Sequence, residues 1–254
     1  MDNTKERIGI RAKTFESFLN ILFKNKKIKL LIAKMTNYVS HKLDVEDTYL
    51  ESVKELFEPD LIIDVGVFKG TRPLYSVFNN VHFHLIDPVK TKLTYIPKSH
   101  EFYEVGLSSK IGELKFYEYE NGGMSTFYKE LKFGRGYEGN VTAEKTVQTL
   151  TLDSFIEKNC SKFNNIGLKI DTQGSELDVL NGLDKMSSKI DFIIIENNIT
   201  NRYDNDSHFS SCTSLLYKKG FRFLNLTEPS TVNFQHAYEC VYVKENNKVF
   251  SKKL

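Results

Sequence analysis

The segment at residues 61–71 constrains the fold of this chain more than any other. Leu61, Ile62 and Ile63 form an apolar run that leads into Asp64, and Gly66 and Gly70 follow. The run is typical of a buried parallel strand, which has no polar face. The glycines allow a sharp turn at the strand tip, and Pro73 suits the first turn of a helix. In open α/β sheets, ligands bind in the crevice at such strand ends.

The spacing of these glycines narrows the choice of ligand. It does not match the G-x-G-x-x-G pattern of dinucleotide sites, nor the G-x-x-x-x-G-K-[ST] pattern of phosphate-binding loops. The acid beside the turn, Asp64, favours a neutral or cationic ligand, and S-adenosylmethionine is the leading candidate. An ordinary strand-to-helix turn with no ligand remains the alternative.

The order of apolar segments predicts an α/β fold. Strands are predicted at about 61–65, 81–86, 102–107, 166–170, 192–195, 221–226 and 237–243, with half of a hairpin at 112–120. Helices alternate with them, so we expect a doubly wound, mostly parallel, seven-stranded sheet. Residues 59–254 form this domain in our interpretation, and residues 1–58 form a helical extension. The Gly-rich segment 121–140 is expected to be a loop that selects the substrate.

Charge is distributed unevenly along the chain. Residues 1–43 contain ten lysines and arginines against three acidic residues, a net charge of +7, whereas the whole chain carries only +2. A stripe of Phe and Leu at 15–23 predicts an amphipathic helix in this basic arm. The arm is expected to pack as a lid or against a second subunit in a homodimer, with peripheral contact to anionic lipid as the alternative.

We expect the chain to be cytoplasmic for several reasons. No segment approaches the ~20 apolar residues of a membrane span, and charges interrupt every apolar stretch near the N-terminus. The three cysteines, Cys160, Cys212 and Cys240, show no pairing pattern. We expect buried free thiols in a reducing compartment.

Acidic residues recur where the predicted parallel strands end: Asp64, Asp87, Asp171 and Glu196. Because these ends share one edge of the sheet, the four side chains should line one crevice. Asp87 lies 23 residues after Asp64, close to the spacing at which an acid binds a ribose diol. Turn initiation by Asp87-Pro88 is the alternative for this residue.

A metal site is a further hypothesis at the same edge. Asp171, Glu196 and Asn197 offer oxygen ligands that suit Mg²⁺ or Mn²⁺, and a cation there would lower the pKa of a substrate hydroxyl. The alternative is that Asp171 caps the next helix or contacts substrate directly. His208 and His236 are candidate general bases near the crevice, whereas His82 and His84 are expected to be packing or surface residues.

The motifs together resemble the FkbM-type methyltransferases, a branch of the class I S-adenosylmethionine-dependent enzymes. The resemblance covers about residues 61–196, and three blocks carry it: 63–66, 104–108 and 151–182, the last containing Lys169, Asp171, Gly174 and Glu176. Gln173 stands where the family usually has an acid, and Asp87 where it usually has Glu.

This resemblance implies methyl transfer to oxygen, commonly on sugars, glycans or related natural products. We therefore expect cofactor contacts from these residues: Asp64, Gly66, Lys69, Gly70, Asp87, Gly106, Leu107 and Ser108. Asp171, Lys169 and His208 are the candidate catalytic residues, and the expected acceptor is a sugar, a nucleotide sugar or a glycan.

Two other classes of function remain open at this point. One is an inactive Rossmann-like interaction protein. The other is a nucleic-acid methyltransferase, although the Asn/Asp-Pro-Pro-aromatic motif of base-methylating enzymes is absent after the fourth strand, so no nucleic-acid partner is expected.

Overall fold

A computed structural model describes residues 49–120, 122–129, 140–198, 203, 207–226 and 237–250. All of them belong to one compact unit, Asp47–Leu254. The basic arm at 1–43 lies outside the described residues, so its predicted helices, and its role as lid, dimer contact or lipid contact, stay predictions. Within the described ranges, no helix has both the length and the apolar character needed to cross a bilayer.

The described residues begin with a helical segment at 49–56. After it they form ten strands and four α-helices of six or more residues. The strands are β1 Leu61–Val65, β2 His82–Asp87, β3 His100–Glu104, β4 Gly106–Leu107, β5 Gly112–Tyr119, β6 Val141–Leu150, β7 Ile166–Ile170, β8 Ile190–Asn198, β9 Phe221–Leu226 and β10 Ala237–Lys244. The helices are α1 Arg72–Val77, α2 Leu152–Asn159, α3 Glu176–Asn181 and α4 Phe209–Lys218.

Seven strands form the main sheet in the order β3-β2-β1-β7-β8-β10-β9. Every pair from β3 to β8 is parallel, and β10 runs antiparallel to both β8 and β9. This topology confirms the predicted doubly wound, mostly parallel sheet. The carboxyl ends of β1, β2 and β7 consequently meet at one edge.

Apolar layers cover both faces of this sheet. Alternate residues of β1 belong to the apolar layers on opposite faces of the sheet. Leu61 and Ile63 pack with α2 and α3, whereas Ile62 packs with α1 and residues 49–57. This double burial explains why β1 reads as a continuous apolar run. Within the helical residues 49–56, Leu56 lies outside this core, since it is 43% exposed.

A second, three-stranded sheet in the order β4-β6-β5 stands beside the first. The single strand predicted at 102–107 is in fact two, because the chain turns at Val105, whose amide donates to the carbonyls of Asp87 and Tyr103. The sequence predicted only one strand of a hairpin, at 112–120, and its partner is β6, which pairs antiparallel with β5 from Val141 to Thr149. The result is a hairpin that projects beyond the main sheet's edge.

Candidate functional site

A cavity of about 380 Å³ opens at the carboxyl ends of β1, β2 and β7. Its floor consists of strand-tip residues, including Gly66, Asp87 and Asp171, and its outer wall consists of the β5–β6 hairpin. The strands of the hairpin contribute Phe116, Glu118, Tyr119, Thr142 and Lys145. The segment between the two strands contributes Gly122, Gly123, Ser125 and Phe127. The volume lies in the range of small-molecule sites, which is ~300–1,000 Å³.

Backbone strain is concentrated around this cavity. Among the described residues, the non-glycine residues with positive φ are Phe68 at 47° and Gln173 at 53°, and both line the cavity. Such conformations cost about 1–3 kcal/mol and persist where surrounding contacts enforce them, commonly at functional sites. The two strained turns follow β1 and β7, on neighbouring strands.

The backbone conformation at position 66 requires a glycine. Its φ is 83°, and a Cβ at this position would lie 1.8 Å from the carbonyl oxygen of Asp171. The glycine lets the tips of β1 and β7 pass each other at close range. Because a side chain here would meet the backbone of Asp171, a Gly66→Val variant is expected to shift Asp171 as well as to narrow the cavity.

Asp87 holds the turn that follows β2 and also faces the cavity. Its two carboxylate oxygens accept backbone hydrogen bonds from Phe68 and Val89, each at 3.0 Å. Burial raises the pKa of Asp87, although these hydrogen bonds oppose the shift. Each carboxylate oxygen can accept a further hydrogen bond, so Asp87 can hold this turn and also bind the hydroxyls of a ligand diol.

Asp64 lies beneath the cavity and not in its wall. It is 0% exposed, and its Oδ2 accepts hydrogen bonds from the hydroxyls of Thr71 at 2.9 Å and Tyr75 at 2.6 Å. These contacts fix α1 against the tip of β1. Asp64 was predicted to shape the methionine end of a cofactor site, and the structure gives it the position of an internal support.

Four polar side chains form a connected cluster at the tips of β7 and β8. The carboxylate of Asp171 accepts a hydrogen bond from Lys169 Nζ at 3.1 Å and another from Gln173 Nε2 at 2.7 Å. Gln173 Nε2 also donates to Glu196 Oε2 at 2.9 Å. Of these residues, Asp171 and Gln173 line the cavity, whereas Lys169 lies behind Asp171 and is 4% exposed.

The pKa values of the two carboxyls of this cluster shift in opposite directions. Burial favours the neutral form of Asp171, but attraction to Lys169 and hydrogen bonding by Gln173 outweigh it and hold its pKa below the usual value. Repulsion from Asp171, together with burial, raises the pKa of Glu196 well above its usual range. Asp171 is therefore the ionised carboxyl of the pair, and the raised pKa of Glu196 makes it the one that binds a proton more readily.

Asn197 does not join this cluster. Neighbouring residues of a strand point to opposite faces, so the side chain of Asn197 points away from that of Glu196. Asn197 is 0% exposed and donates to the Tyr242 hydroxyl at 3.5 Å. The Gln173 amide, moreover, lies between the carboxyls of Asp171 and Glu196, where a shared cation would sit, so the arrangement does not form the predicted three-residue metal site.

Glu176 is a support residue whose role the sequence did not reveal. Its buried carboxylate accepts hydrogen bonds from the amides of Thr172 at 2.9 Å and Gly174 at 3.1 Å, which holds the strained turn around Gln173. Burial raises the pKa of Glu176 to about 7 from its ordinary value of 4.5.

This shift leads to a pH-dependent prediction. Between pH 4.5 and 7 the folded protein binds a proton at Glu176 that the unfolded chain releases. The contribution of Glu176 to stability is therefore present at low pH and is lost as pH rises through this window, by about 3 kcal/mol at most. Urea denaturation of wild type and Glu176→Gln at several pH values checks this. Parallel pH profiles would contradict it.

The remaining predicted residues divide into two groups. Gly106 and Leu107 line the cavity, and a Cβ on Gly106 would lie 2.6 Å from Phe127. Lys69, Gly70, Ser108 and His208 are not among the described residues of the cavity wall. Lys69 lies over the Phe68 ring, Gly70 accommodates the carbonyl of Tyr95, and the Ser108 amide donates to Leu150. His208 precedes α4 and bridges to Asn198.

Comparison with known proteins identifies the chain's relatives. The Methyltransferase FkbM domain model matches residues 64–223, well over half of the chain. A search of curated proteins gives no significant match.

Solved structures that resemble the chain include two methyltransferases. Magnesium protoporphyrin IX methyltransferase from Synechocystis is 11% identical, with 81% of this chain and 80% of that chain covered and a TM-score of 0.43. The 1,6-didemethyltoxoflavin-N1-methyltransferase of Burkholderia thailandensis is also 11% identical, with 85% and 88% covered and a TM-score of 0.40. On the strength of the domain match, this chain belongs to the FkbM family of S-adenosylmethionine-dependent methyltransferases of the class I fold.

Proposed function

We propose that this protein transfers a methyl group to a hydroxyl of a sugar, a glycan or a related natural product. One observation carries the proposal: an ionised carboxylate, Asp171, stands in the cavity wall with its position fixed by Lys169 and Gln173. A fixed carboxylate can accept a hydrogen bond from an acceptor hydroxyl and align its oxygen for attack. Alignment of this kind supplies up to ~7–11 kcal/mol of barrier reduction.

The residues present fit the cofactor that the family uses. Asp87 would hold the ribose diol through its remaining lone pairs, and the apolar side chains of Phe68, Ile86 and Leu107 would flank the adenine. When bound, S-adenosylmethionine supplies an electrophilic methyl group on a sulfonium. The anionic wall formed by Asp171 suits that positive charge.

Asp87 gives the prediction that tests this fit. Asp87→Asn is expected to weaken S-adenosylmethionine binding about tenfold or more, because a charge-assisted hydrogen bond is worth about 1.5–3 kcal/mol and ~1.4 kcal/mol is a factor of ten. Asparagine keeps the size of the side chain and one acceptor oxygen for the turn. Calorimetric titration measures the change, and an unaltered dissociation constant would refute the ribose assignment.

In this proposal Asp171 acts chiefly by orientation. Its depressed pKa makes it a weak base toward a free hydroxyl. The hydroxyl becomes strongly acidic only as its oxygen bonds to the methyl carbon, and Asp171 can accept the proton at that stage. Lys169 keeps the carboxylate ionised until then, so the two residues act as one unit.

The hairpin wall is the proposed contact surface for the acceptor. It presents polar groups to the cavity, including the ion pair between Lys145 and Glu118 at 2.6 Å and the hydroxyl of Thr142. Carboxylates, amines and hydroxyls in this arrangement suit the hydroxyl-rich surface of a sugar, and Lys145 would also attract the phosphates of a nucleotide sugar. We propose that the reaction takes place in the cytoplasm, since Cys160, Cys212 and Cys240 are buried and form no disulfide, as is usual in a reducing compartment.

A screen for turnover tests the proposed acceptor class. The protein is incubated with S-adenosylmethionine and panels of nucleotide sugars, glycan extracts, amines and thiols, and release of S-adenosylhomocysteine is measured. We expect turnover with hydroxyl acceptors, and loss of turnover when the reacting hydroxyl is replaced by hydrogen. Turnover confined to amines or thiols would contradict transfer to oxygen.

We further propose that the transfer does not require a metal ion, a view supported by the Gln173 amide between the two carboxyls and by the position of Asn197. Excess EDTA is therefore expected to leave the turnover rate unchanged. A rate that falls with EDTA and returns with Mg²⁺ or Mn²⁺ would instead support the predicted metal site.

A further inference from the structure

Two histidines and a glutamate meet at the end of the sheet opposite the cavity. His82 and His84 project from the same face of β2, and Glu101 on the edge strand β3 is the register partner of His84. One ring nitrogen from each histidine and one carboxylate oxygen of Glu101 all lie within 4.8 Å of one another. The sequence shows the two histidines as an alternating pair but does not show that Glu101 joins them.

The facing nitrogens of this cluster lack hydrogen-bond partners. Nε2 of His82 and Nε2 of His84 are both buried and unpaired, and His84 is only 1% exposed. The closest acid to His82, Glu101, is 3.7 Å from its Nε2, which is too long for a hydrogen bond. Buried polar atoms in native proteins nearly always have a partner, so two unpaired nitrogens that share one space indicate a missing ligand.

The outward atoms of the same side chains are all engaged. Nδ1 of His82 contacts Ser99 Oγ at 2.7 Å, and Nδ1 of His84 contacts Cys160 Sγ at 3.5 Å. Tyr103 donates its hydroxyl to Oε2 of Glu101 at 2.6 Å. Such outer contacts fix ring orientation and tautomer in metal sites, and they direct the free Nε2 and Oε1 atoms toward one point.

Two charged side chains act on the imidazoles. Lys162 is the nearby cation, and Glu101 is the acid that faces the rings. Glu101 would balance part of the charge of a divalent cation. Solvent would screen the rest, since the Glu101 side chain is 53% exposed.

We propose that His82, His84 and Glu101 bind a Zn²⁺ ion, with water in the remaining position. Two imidazoles and one carboxylate are a ligand set that zinc accepts, with bonds of about 2.0–2.2 Å. Because the Glu101 side chain is exposed, an ion can reach the site from solvent, and the side chain can move to coordinate it. His84 is held by its packing against Phe155, Phe163 and Tyr103.

The ion would fasten the edge strand β3 to β2. His84 is three residues from Asp87, which corresponds to about 10 Å along the strand. The site is therefore separate from the methyl-transfer cavity, and its expected effect is on the stability of the sheet edge and not on the chemical step.

Zinc titration of untagged, metal-stripped protein tests the proposal. With a competing chromogenic chelator, we expect one Zn²⁺ per chain, and about tenfold or greater weakening in His82→Gln and Glu101→Gln. His100→Gln is the matched control, because His100 lies on the same strand as Glu101 but on its other face, where Nδ1 contacts the carbonyl of Pro97. Its affinity should equal that of wild type.

Two further readouts separate a built site from nonspecific binding. Zn²⁺ should raise the melting temperature of wild type and His100→Gln but not of His82→Gln, and Co²⁺ should give tetrahedral absorption bands only in the first two. Far-ultraviolet circular dichroism confirms that each variant is folded. Equal zinc affinity in wild type and the His82→Gln/Glu101→Gln double variant, or equal weakening by His100→Gln, would overturn the proposal.

Discussion

Replacing Asp171 by asparagine is expected to lower kcat by about 10²–10⁴-fold, the range associated with loss of a positioned proton acceptor. The variant keeps the shape of the side chain but removes the ionised oxygens that Lys169 and Gln173 hold in the cavity wall. An amide can also donate a hydrogen bond, which would misdirect an acceptor hydroxyl. Affinity for S-adenosylmethionine should change far less than kcat, because Asp87 and the apolar wall hold the nucleoside.

Glu196→Gln is the matched control for this prediction. Repulsion from Asp171 and burial raise the pKa of Glu196 well above its usual range, and Glu196 is not among the described residues that line the cavity. Glutamine keeps the size of the side chain and an acceptor oxygen for the Gln173 amide, so this variant should retain most of the wild-type rate. Equal losses in the two variants, measured by single-turnover kinetics, would show that the ionisation of Asp171 is not what matters.

Lys169→Met is expected to destabilise the fold by about 3 kcal/mol, because it leaves buried carboxylates without their cation. The Lys169 side chain is 5% exposed, and attraction to Asp171 and Asp64 raises its pKa in spite of burial. We expect the lower end of the usual ~3–5 kcal/mol range for such a loss, since the Asp171 side chain is 30% exposed and water can screen it.

Lys145→Met provides the comparison for this loss of stability. Lys145 also pairs with an acid, Glu118, but its side chain is 48% exposed. An exposed pair contributes about 1 kcal/mol or less, so this variant should stay close to wild type. Urea denaturation gives both values, and similar losses from the two substitutions would contradict the buried role of Lys169.

The sheet was largely predictable from the sequence because its central strands are buried on both faces. Such strands are mostly apolar without alternation, and the structure confirms β1 and β7 with the predicted bounds. The break at Val105 and the presence of β6 could not be predicted, since both depend on pairing with distant residues. A strand that pairs along an exposed hairpin, as β6 does, carries little apolar signal of its own.

The sequence predicted where the site lies but not how its side chains contact one another. Acids at strand ends correctly pointed to the edge where Asp87 and Asp171 line a cavity. Periodicity alone should have separated Glu196 from Asn197, because adjacent strand residues face opposite ways. The positions of Gln173 and Glu176 depend on a strained turn, and the meeting of Glu101 with His84 depends on register between strands.

A crystal structure with S-adenosylhomocysteine tests the central claim most directly, because it requires no knowledge of the acceptor. We expect the ribose hydroxyls within about 3.2 Å of the Asp87 carboxylate, the adenine against the Phe68 and Leu107 side chains, and the sulfur facing Asp171 across the open part of the cavity. A nucleoside bound away from Asp87, or a sulfur that faces away from Asp171, would contradict both the cofactor site and the proposed path of the methyl group.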